Sequence, residues 1–236
     1  MNYAVIIPSN TLSNLMPCIA AVLKHEPELD PQRIIVVDDG LAEEDISVWR
    51  AITGHCTVIY GQKPFVFSRN INVGIREAMK YQGLEGVVLQ NDDALLESPG
   101  GFSLLATEAE AHPEYGIIGA TTNKTGQPLQ WRRTGEGSGL RTVPHIAFVC
   151  VYIPRRTLET VGLLDEDFNE GYGCDDRAYC EVVARAGLKI GVHDFCYCDH
   201  GSLRSTYRGD PNAPGDFSKN YAILMRKFDG HLVTGP

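Results

Sequence analysis

The chain has 236 residues, 43% of them hydrophobic and 22% charged, so it is long enough to bury the core of one α/β domain. Its 21 basic and 30 acidic residues give a formal net charge of -9. This excess of acid argues against binding to the phosphate backbone of nucleic acid as the main activity.

The N-terminus lacks the basic start and apolar core of a secretion signal, and no apolar run approaches the length of a membrane span. The seven cysteines are an odd number, scattered along the chain, which suits reduced and mostly buried thiols better than a disulfide framework. We therefore expect a soluble, cytoplasmic protein.

The first half of the chain alternates short β-branched runs with longer helical patterns. We predict strands at 3–7, 33–37, 57–60 and 86–89, and helices at 12–24, 43–52 and 68–80. Strands that alternate with helices imply crossover connections and a mostly parallel sheet, whose ligands bind beyond the carboxyl ends of the strands. Asp38 and Asp39 follow one such strand end, and Asp92 and Asp93 follow another.

The second half begins with residues 121–144, which are rich in glycine and polar side chains and predict a mobile loop. After it we predict a strand at 146–153, a short helix at 157–161, a helix at 175–186 that ends before Gly187, and a strand at 189–192. Residues 198–214 are predicted to be irregular, and 217–228 to form a closing helix. We find no internal repeat.

Two pairs of adjacent acids are the most informative local feature. Asp92 and Asp93 follow a Val/Leu strand, and Asp175 and Asp176 stand at a predicted helix start. Because adjacent carboxylates repel each other, a protein that keeps two such pairs usually supplies a cation, a donor or a proton to hold them. The pairs therefore indicate polar-group chemistry with a metal.

Together these residues resemble the inverting GT-A glycosyltransferases of the family 2 type, including the rhamnosyltransferase-like branch. The resemblance covers residues 3–200 and rests on motifs in a fixed order. They are Val-Ile-Ile-Pro at 5–8, Ile-Ile-Val-Val-Asp-Asp-Gly at 34–40, Asn-Val-Gly at 72–74, Leu-Gln-Asn-Asp-Asp at 89–93, Pro-Gly-Gly at 99–101, His-Pro-Glu-Tyr-Gly-Ile-Ile-Gly at 112–119, Gly-Leu-Leu-Asp-Glu-Asp-Phe at 162–168, Gly-Tyr-Gly-Cys-Asp-Asp at 171–176, Arg-Ala-Gly at 185–187 and Asp-His-Gly at 199–201.

The resemblance implies one α/β domain, 1–236, with the GT-A fold. In this fold a Rossmann-like nucleotide-binding half, with a mostly parallel mixed sheet flanked by helices, is fused to an acceptor-binding half. Here the nucleotide-sugar-binding half would be 1–97 and the acceptor and catalytic half 98–236. The implied activity is a metal-dependent, inverting glycosyl transfer of the hexosyltransferase type, from a nucleoside diphosphate sugar to an acceptor hydroxyl.

For the donor site, the resemblance makes Asp39 the first choice for contact with the nucleotide, with Asp38 as a supporting group. Asp-Asp-Gly is also common where a strand simply ends in a turn, and that interpretation stays open. Further contacts with the nucleotide or its phosphates are expected from Pro8, Arg69, Asn72, Asn91 and Arg204.

A divalent cation would neutralise the charge that builds up on the departing diphosphate. The resemblance points to Asp92 and His200 as its ligands, with Asp93 as an alternative contact. The family often has Asp-x-Asp here, whereas this chain has Gln90, Asn91 and Asp92, so the first carboxylate is missing. A mixed oxygen and nitrogen site suits Mn²⁺ or Mg²⁺. The alternative for Asp92 is a helix N-cap or a turn.

For the chemical step, the family's acidic pair aligns with Asp175 and Asp176. Asp176 is the predicted general base, and Asp175 would orient the acceptor or raise the pKa of Asp176. A base at a helix N-terminus needs burial to offset the helix dipole, and simple N-capping is the alternative. The family commonly has a further acid where this chain has Ala178.

The acceptor is expected at the polar loop, where an exposed Trp131 would stack on a sugar ring. Arg132 and Arg133 would hold an anionic acceptor. A loop tryptophan can equally serve as an anchor. The sequence does not choose among a glycan, a protein, a small molecule and a modified nucleic acid as the acceptor.

Three alternatives stay open. Cys196, Cys198 and His200, with Cys174 and Cys180 in reserve, could form a zinc site in a structural or interaction module. A sugar nucleotidyltransferase would share the nucleotide-binding half, although residues 8–14 lack the glycine-rich, basic phosphate loop of that class. The missing first acid and Ala178 also leave open an inactive, binding-only descendant of the family.

Overall fold

The computed structural model describes residues 2–41, 56–133, 137–205 and 216–234. The strands in these ranges are β1 (Tyr3–Ser9), β2 (Ile34–Asp38), β3 (Thr57–Tyr60), β4 (Gly86–Gln90), β5 (Leu95–Leu96), β6 (Tyr115–Thr122), β7 (Leu140–Val143), β8 (Cys150–Pro154) and β9 (Lys189–Asp199). The helices are α1 (Leu12–His25), α2 (Phe67–Ala78), α3 (Gly101–Ala111), α4 (Arg155–Val161), α5 (Asp175–Arg185) and α6 (Phe217–Lys227). Short 3-10 turns lie at Pro31–Arg33 and Pro128–Gln130.

All the described strands belong to one sheet, in the order β3-β2-β1-β4-β8-β6-β9-β5, with β7 paired to β9. β1 to β4 are parallel, β8 runs antiparallel to both β4 and β6, and β6 is parallel to β9. Six strands therefore point the same way and end at one side of the sheet, where β8 begins. We call this side the carboxyl edge; the strand ends at it are Ser9, Asp38, Tyr60, Gln90, Thr122 and Asp199.

Helices cover both faces of the sheet. Residues of α1 and α3 pack on one face, and residues of α2, α4 and α5 pack on the other. β1 serves both faces, since Val5 and Ile7 belong to the first core cluster and Ala4 and Ile6 to the second. A central parallel strand that is buried on both sides is expected to be a continuous apolar run, as β1 is.

Helix α2 approaches the sheet closely at Gly74. A Cβ atom at this position would lie 2.4 Å from Cγ2 of Ile6 and 3.1 Å from Cγ2 of Val37. Only a residue without a side chain therefore lets α2 rest on β1 and β2 at this depth. No described helix is long and apolar enough to cross a membrane.

The strands predicted in the first half are confirmed to within one or two residues, whereas the predicted helix at 43–52 lies outside the described residues. In the second half, β8 begins at Cys150 rather than 146, because Val149 N donates to the carbonyl oxygen of Ala147 in a turn. β7 lies within the predicted loop. β9 was predicted to end at 192 but continues to Asp199. It pairs with β6 in two stretches, and residues 194–196 form a bulge between them.

Candidate functional site

The turn after β2 gives its two acids different roles. Asp38 Oδ1 accepts hydrogen bonds of 2.8 Å from the main-chain nitrogens of both Gly40 and Leu41. Gly40 has φ 128°, which favours glycine, so this carboxylate shapes the turn. Asp39 is 1% exposed, and its carboxylate makes contacts beyond the turn.

Two residues that the sequence analysis did not select hold Asp39. Asn70 Nδ2 donates to Asp39 Oδ1 at 3.0 Å, and Lys63 Nζ lies 3.1 Å from the same oxygen. Lys63 also donates to the main-chain oxygen of Asp39. Asn70 Oδ1 in turn accepts from Gln62 N at 2.7 Å, which ties the chain after β3 to α2. The ammonium group of Lys63 and the carboxylate of Asp39 thus form an ion pair at the end of β2.

Asn72, which was predicted to contact the donor, makes hydrogen bonds within the fold. It is 1% exposed, its Nδ2 donates to the carbonyl oxygen of Leu164 at 2.8 Å, and its Oδ1 accepts from Leu164 N at 3.0 Å. Its Nδ2 also donates to Glu166 Oε1 at 2.8 Å. Arg69 is directed to the same segment, with its Nε 3.7 Å from Glu166 Oε2. Both side chains therefore fasten residues 164–166 to α2.

In the turn after β4, as in the turn after β2, the two adjacent acids make different contacts. Asp92 is 5% exposed, and its Oδ2 accepts a 2.7 Å hydrogen bond from Ser9 Oγ at the end of β1. Asp93 is 7% exposed, and its Oδ1 lies 3.2 Å from Nε2 of His200. Asn91 donates its main-chain nitrogen to the carbonyl oxygen of Val149 at 2.9 Å. The turn is thus anchored both to β1 and to the segment before β8.

The residues directly after β6 fix the orientation of the His200 ring. Its Nδ1 lies 2.5 Å from the carbonyl oxygen of Lys124, and its main-chain nitrogen donates to Asn123 Oδ1 at 2.8 Å. Because a carbonyl oxygen only accepts, a neutral His200 carries its hydrogen on Nδ1 and a lone pair on Nε2. The atom that faces Asp93 is therefore the one able to bind a cation.

Asp93 and His200 together are two candidate ligands and not a complete metal-binding site. Across the described ranges, no group of three or more His, Cys, Asp or Glu side chains is arranged to hold a metal ion. Carboxylate oxygen and imidazole nitrogen are donors that Mn²⁺ accepts, and Asp93 and His200 supply one of each.

The alternative zinc site is not assembled in the described structure. Cys196 and Cys198 are fully buried in the first core cluster, whereas Cys180 packs in the second and Cys174 in a third cluster, with α6. Cys174 and Cys180 therefore do not join Cys196 and Cys198 around one ion. Six of the seven cysteines are buried and Cys56 is partly buried, in agreement with the interpretation of most of them as small buried side chains.

The second acidic pair occupies the first turn of α5. Gly173 (φ 72°) and Cys174 (φ 73°) both adopt the left-handed conformation just before it, which is strained for Cys174. Burial, with the neighbouring charge of Asp176 second, raises the pKa of Asp175 to about 7. Burial also raises the pKa of Asp176, against hydrogen bonds from the main chain of Arg177 and Phe148. Desolvation thus outweighs the main-chain hydrogen bonds that favour the charged form of both carboxyls.

The remaining predicted residues lie around the same edge. Trp131 is 47% exposed, its Nε1 donates to the carbonyl oxygen of Thr125 at 3.0 Å, and it bridges to the end of β6. The guanidinium of Arg132 lies 4.4 Å from the centre of the Tyr197 ring. Arg204 is exposed, and its carbonyl oxygen accepts from Asn14 Nδ2 of α1 at 2.9 Å. Pro8 is buried within β1 and paired with Val37.

A mixed sheet between helices, with acidic turns at its carboxyl edge, is also the architecture of GT-A glycosyltransferases. Two solved structures share the fold. One is GalNAc-T7 with UDP, GalNAc and Mn²⁺, with a TM-score of 0.73 and 14% identity over 96% of this chain and 48% of that chain. The other is the mannosyltransferase PcManGT from Pyrobaculum calidifontis in complex with GDP-Man and Mn²⁺, with a TM-score of 0.65 and 17% identity over 99% of this chain and 70% of that chain.

Residues 4–168, more than half of the chain, match the family model described as glycosyl transferase family 2, and the chain belongs to that family. This chain spans about half the length of GalNAc-T7. No curated protein matches the sequence.

Proposed function

We propose that the protein transfers a sugar from a nucleoside diphosphate sugar to an acceptor hydroxyl, with inversion at the anomeric carbon. The observation that carries the proposal is that three acid-bearing segments lie at the carboxyl edge. They are Asp39 after β2, Asp93 with His200 after β4 and β9, and Asp175 with Asp176 at the start of α5, beside Phe148 and the beginning of β8. The family, and the UDP and GDP-Man bound in the two similar structures, support it. Membership of the rhamnosyltransferase-like branch stays a prediction.

In this proposal Asp39 contacts the nucleoside. Its carboxylate is held by Asn70 and Lys63, so it is oriented before the donor binds. Lys63 is 63% exposed, so its ammonium can follow the phosphates while the carboxylate stays in place. Arg204 is the second cation that we assign to the diphosphate.

Asp93 and His200 hold a divalent ion, Mn²⁺ or Mg²⁺, with Asp92 beside them. When bound, the ion neutralises the charge of the diphosphate. His200 is suited to this role because Lys124 fixes the orientation of its ring. Asp92 is suited to hold the turn, because Ser9 fastens its carboxylate to the end of β1. Asp93 then presents its oxygen toward His200.

Asp176 acts as the general base. The acceptor oxygen attacks the anomeric carbon from the face opposite the diphosphate, and its proton passes to the carboxylate. The bond from the anomeric carbon to the diphosphate oxygen breaks, and its electron pair leaves with the diphosphate. Asp176 is more exposed than Asp175, so an acceptor reaches it more easily. Asp175 keeps the pair partly protonated below neutral pH.

The acceptor lies over the segment that carries Trp131 and Arg132. Trp131 offers an exposed ring whose indole nitrogen is tied to Thr125, so the ring is held while its face stays in solvent. The guanidinium of Arg132 lies over the ring of Tyr197, which orients it for a polar group of the acceptor.

The test is calorimetry of a panel of nucleoside diphosphate sugars with and without Mn²⁺, on the wild-type protein, Asp93→Ala and Glu159→Ala. Glu159 is the control because it lies on α4, which follows the opposite end of β8. We expect one donor to bind only with Mn²⁺, to bind Glu159→Ala equally well, and to lose affinity for Asp93→Ala. Absence of donor binding to the wild-type protein under all conditions would refute the proposal.

A further inference from the structure

Gln130 is a buried side chain that the proposed mechanism does not use. It is 0% exposed and lies at the end of the 3-10 turn Pro128–Gln130, directly before Trp131. Its Nε2 donates to the carbonyl oxygens of Ala120 at 3.2 Å and Ala147 at 3.0 Å. Its Oε1 accepts from Ala147 N at 2.9 Å. One carboxamide therefore joins β6, the acceptor segment and the segment before β8.

Gln130 and Ala147 exchange two hydrogen bonds, as two residues of neighbouring strands do. Here the carboxamide of Gln130 takes the place of one strand's main chain. Because the site is closed to solvent, water cannot replace these hydrogen bonds if the carboxamide is removed. Ala147 is thus held at both its nitrogen and its oxygen by one side chain.

The two residues after Ala147 reach two other parts of the site. Phe148 donates a main-chain hydrogen bond to the carboxylate of Asp176. Val149 accepts from Asn91 N at 2.9 Å, at the start of the turn that carries Asp92 and Asp93. A shift of Ala147 would disturb both contacts, because Phe148 and Val149 follow it directly and consecutive Cα atoms are only about 3.8 Å apart.

We propose that Gln130 is a positioning residue that sets the segment 147–149, and through it the carboxylate of Asp176, relative to the acceptor segment at Trp131. The role of Asp176 as the base rests on the proposed function. The geometric link from Gln130 to Asp176 does not depend on it. Gln130 contacts neither the acceptor nor the donor in this account.

The experiment compares Gln130→Met with wild type and with Glu26→Gln. Methionine keeps the length of the side chain and makes none of its hydrogen bonds. Glu26 is the control because it is also a buried side chain that joins separate segments. Its carboxylate accepts hydrogen bonds from Tyr3 OH at 2.9 Å and from Phe102 N at 2.6 Å. These contacts lie near the beginning of β1, away from the carboxyl edge. Three quantities are measured: the carboxyl titration of Asp175 and Asp176 by NMR, donor affinity, and release of nucleoside diphosphate when water replaces the acceptor.

For Gln130→Met we expect the titration midpoint of the acidic pair to rise by about half a pH unit, because the hydrogen bond from Phe148 that favours the charged carboxylate is weakened. Donor hydrolysis should fall about 10- to 100-fold. Donor affinity should fall less, because Val149 contacts the turn that carries Asp93 only through the main chain of Asn91. Glu26→Gln should lower the melting temperature and leave the titration unchanged. Gln130→Asn keeps the uncharged carboxamide but shortens its reach by one methylene, so it is the second variant if Gln130→Met does not fold; it should shift the midpoint in the same direction.

An unchanged titration in folded Gln130 variants would overturn the inference, whatever their melting temperature. If the wild-type protein binds no donor, the proposed function fails. The titration still decides whether Gln130 positions Asp176.

Discussion

His200 lies 3.2 Å from Asp93 through its Nε2, while its Nδ1 lies 2.5 Å from the carbonyl oxygen of Lys124. The imidazole thus spans from the end of β9 to the turn after β4, with its orientation set by main chain rather than by a mobile side chain. A ligand fixed in this way binds a cation with little further ordering.

We expect His200→Gln to raise the Mn²⁺ concentration needed for donor binding by about 10- to 100-fold, because one of the proposed ligands is replaced by a weaker donor. Titration of Mn²⁺ at fixed donor concentration measures this. The matched control is His112→Gln, since His112 is 47% exposed and lies at the beginning of β6. Equal Mn²⁺ dependence in both variants would exclude His200 as a ligand.

Asp38 and Asp39 offer a paired test of the donor site. Asn at 38 still accepts hydrogen bonds from the turn, so Asp38→Asn should leave donor affinity within about twofold. Asp39→Asn removes the carboxylate that Asn70 and Lys63 hold, and we expect it to weaken donor binding by about tenfold. Calorimetry with the preferred donor measures both. Equal losses in the two variants would argue for a turn role for both acids.

The rate of sugar transfer should rise with pH through about 7, because the pKa of Asp175 is raised to about 7 and the acidic pair must lose its proton to act as a base. Asp176→Asn should lower the rate by about 10²- to 10⁴-fold without changing donor affinity. Rates from pH 5 to 9 measure the profile. A profile that is flat across pH 7, or full activity of Asp176→Asn, would remove the pair from the mechanism.

The same pair should make the protein less stable as pH rises. The folded-state pKa of Asp175, about 7, lies above its ordinary value of 3.8, so between these values the unfolded chain loses its proton first. Stability is therefore lost as pH rises from about 4 to about 7. Asp175→Asn lacks this loss and should be more stable at pH 8 by on the order of 2–4 kcal/mol. Denaturant unfolding at pH 4 and pH 8 measures the difference, which should be small at pH 4.

Gly74→Ala should destabilise the fold by about 1–3 kcal/mol, because the new methyl group would overlap Ile6 and push α2 away from β1. Gly126→Ala is the control, since a Cβ there meets nothing within 4 Å. Chemical denaturation of both variants measures the effect. A neutral Gly74→Ala would mean that α2 can shift outward at little cost.

The sequence predicted the parallel half of the fold because its strands are plain apolar runs between helical patterns. It did not predict the full length of β9, since the bulge at 194–196 interrupts the alternation that marks a strand. Neither α3 nor β6 was predicted as an element, since residues 99–101 and 112–119 were interpreted only as motifs.

For the site, the sequence identified the acidic turns but not the direction of each side chain. Whether Asp92 or Asp93 faces His200 depends on the hydrogen bond from Ser9, a contact between β1 and β4 that no local pattern contains. Asn70 was missed for a related reason. Asn70 and Asn72 lie two positions apart on one helix, so they point in different directions, and only the packing of residues 164–166 reveals which one is structural.

The pairing of β9 bears on how the protein can be shortened. The family match ends at residue 168, but β9 comes later and pairs with β5, β6 and β7. A truncation at that point would strip β6 of a neighbour along most of its length and leave an open, apolar edge strand, which favours aggregation. The matched segment by itself is therefore a poor choice for expression, even though it contains the complete parallel half of the sheet.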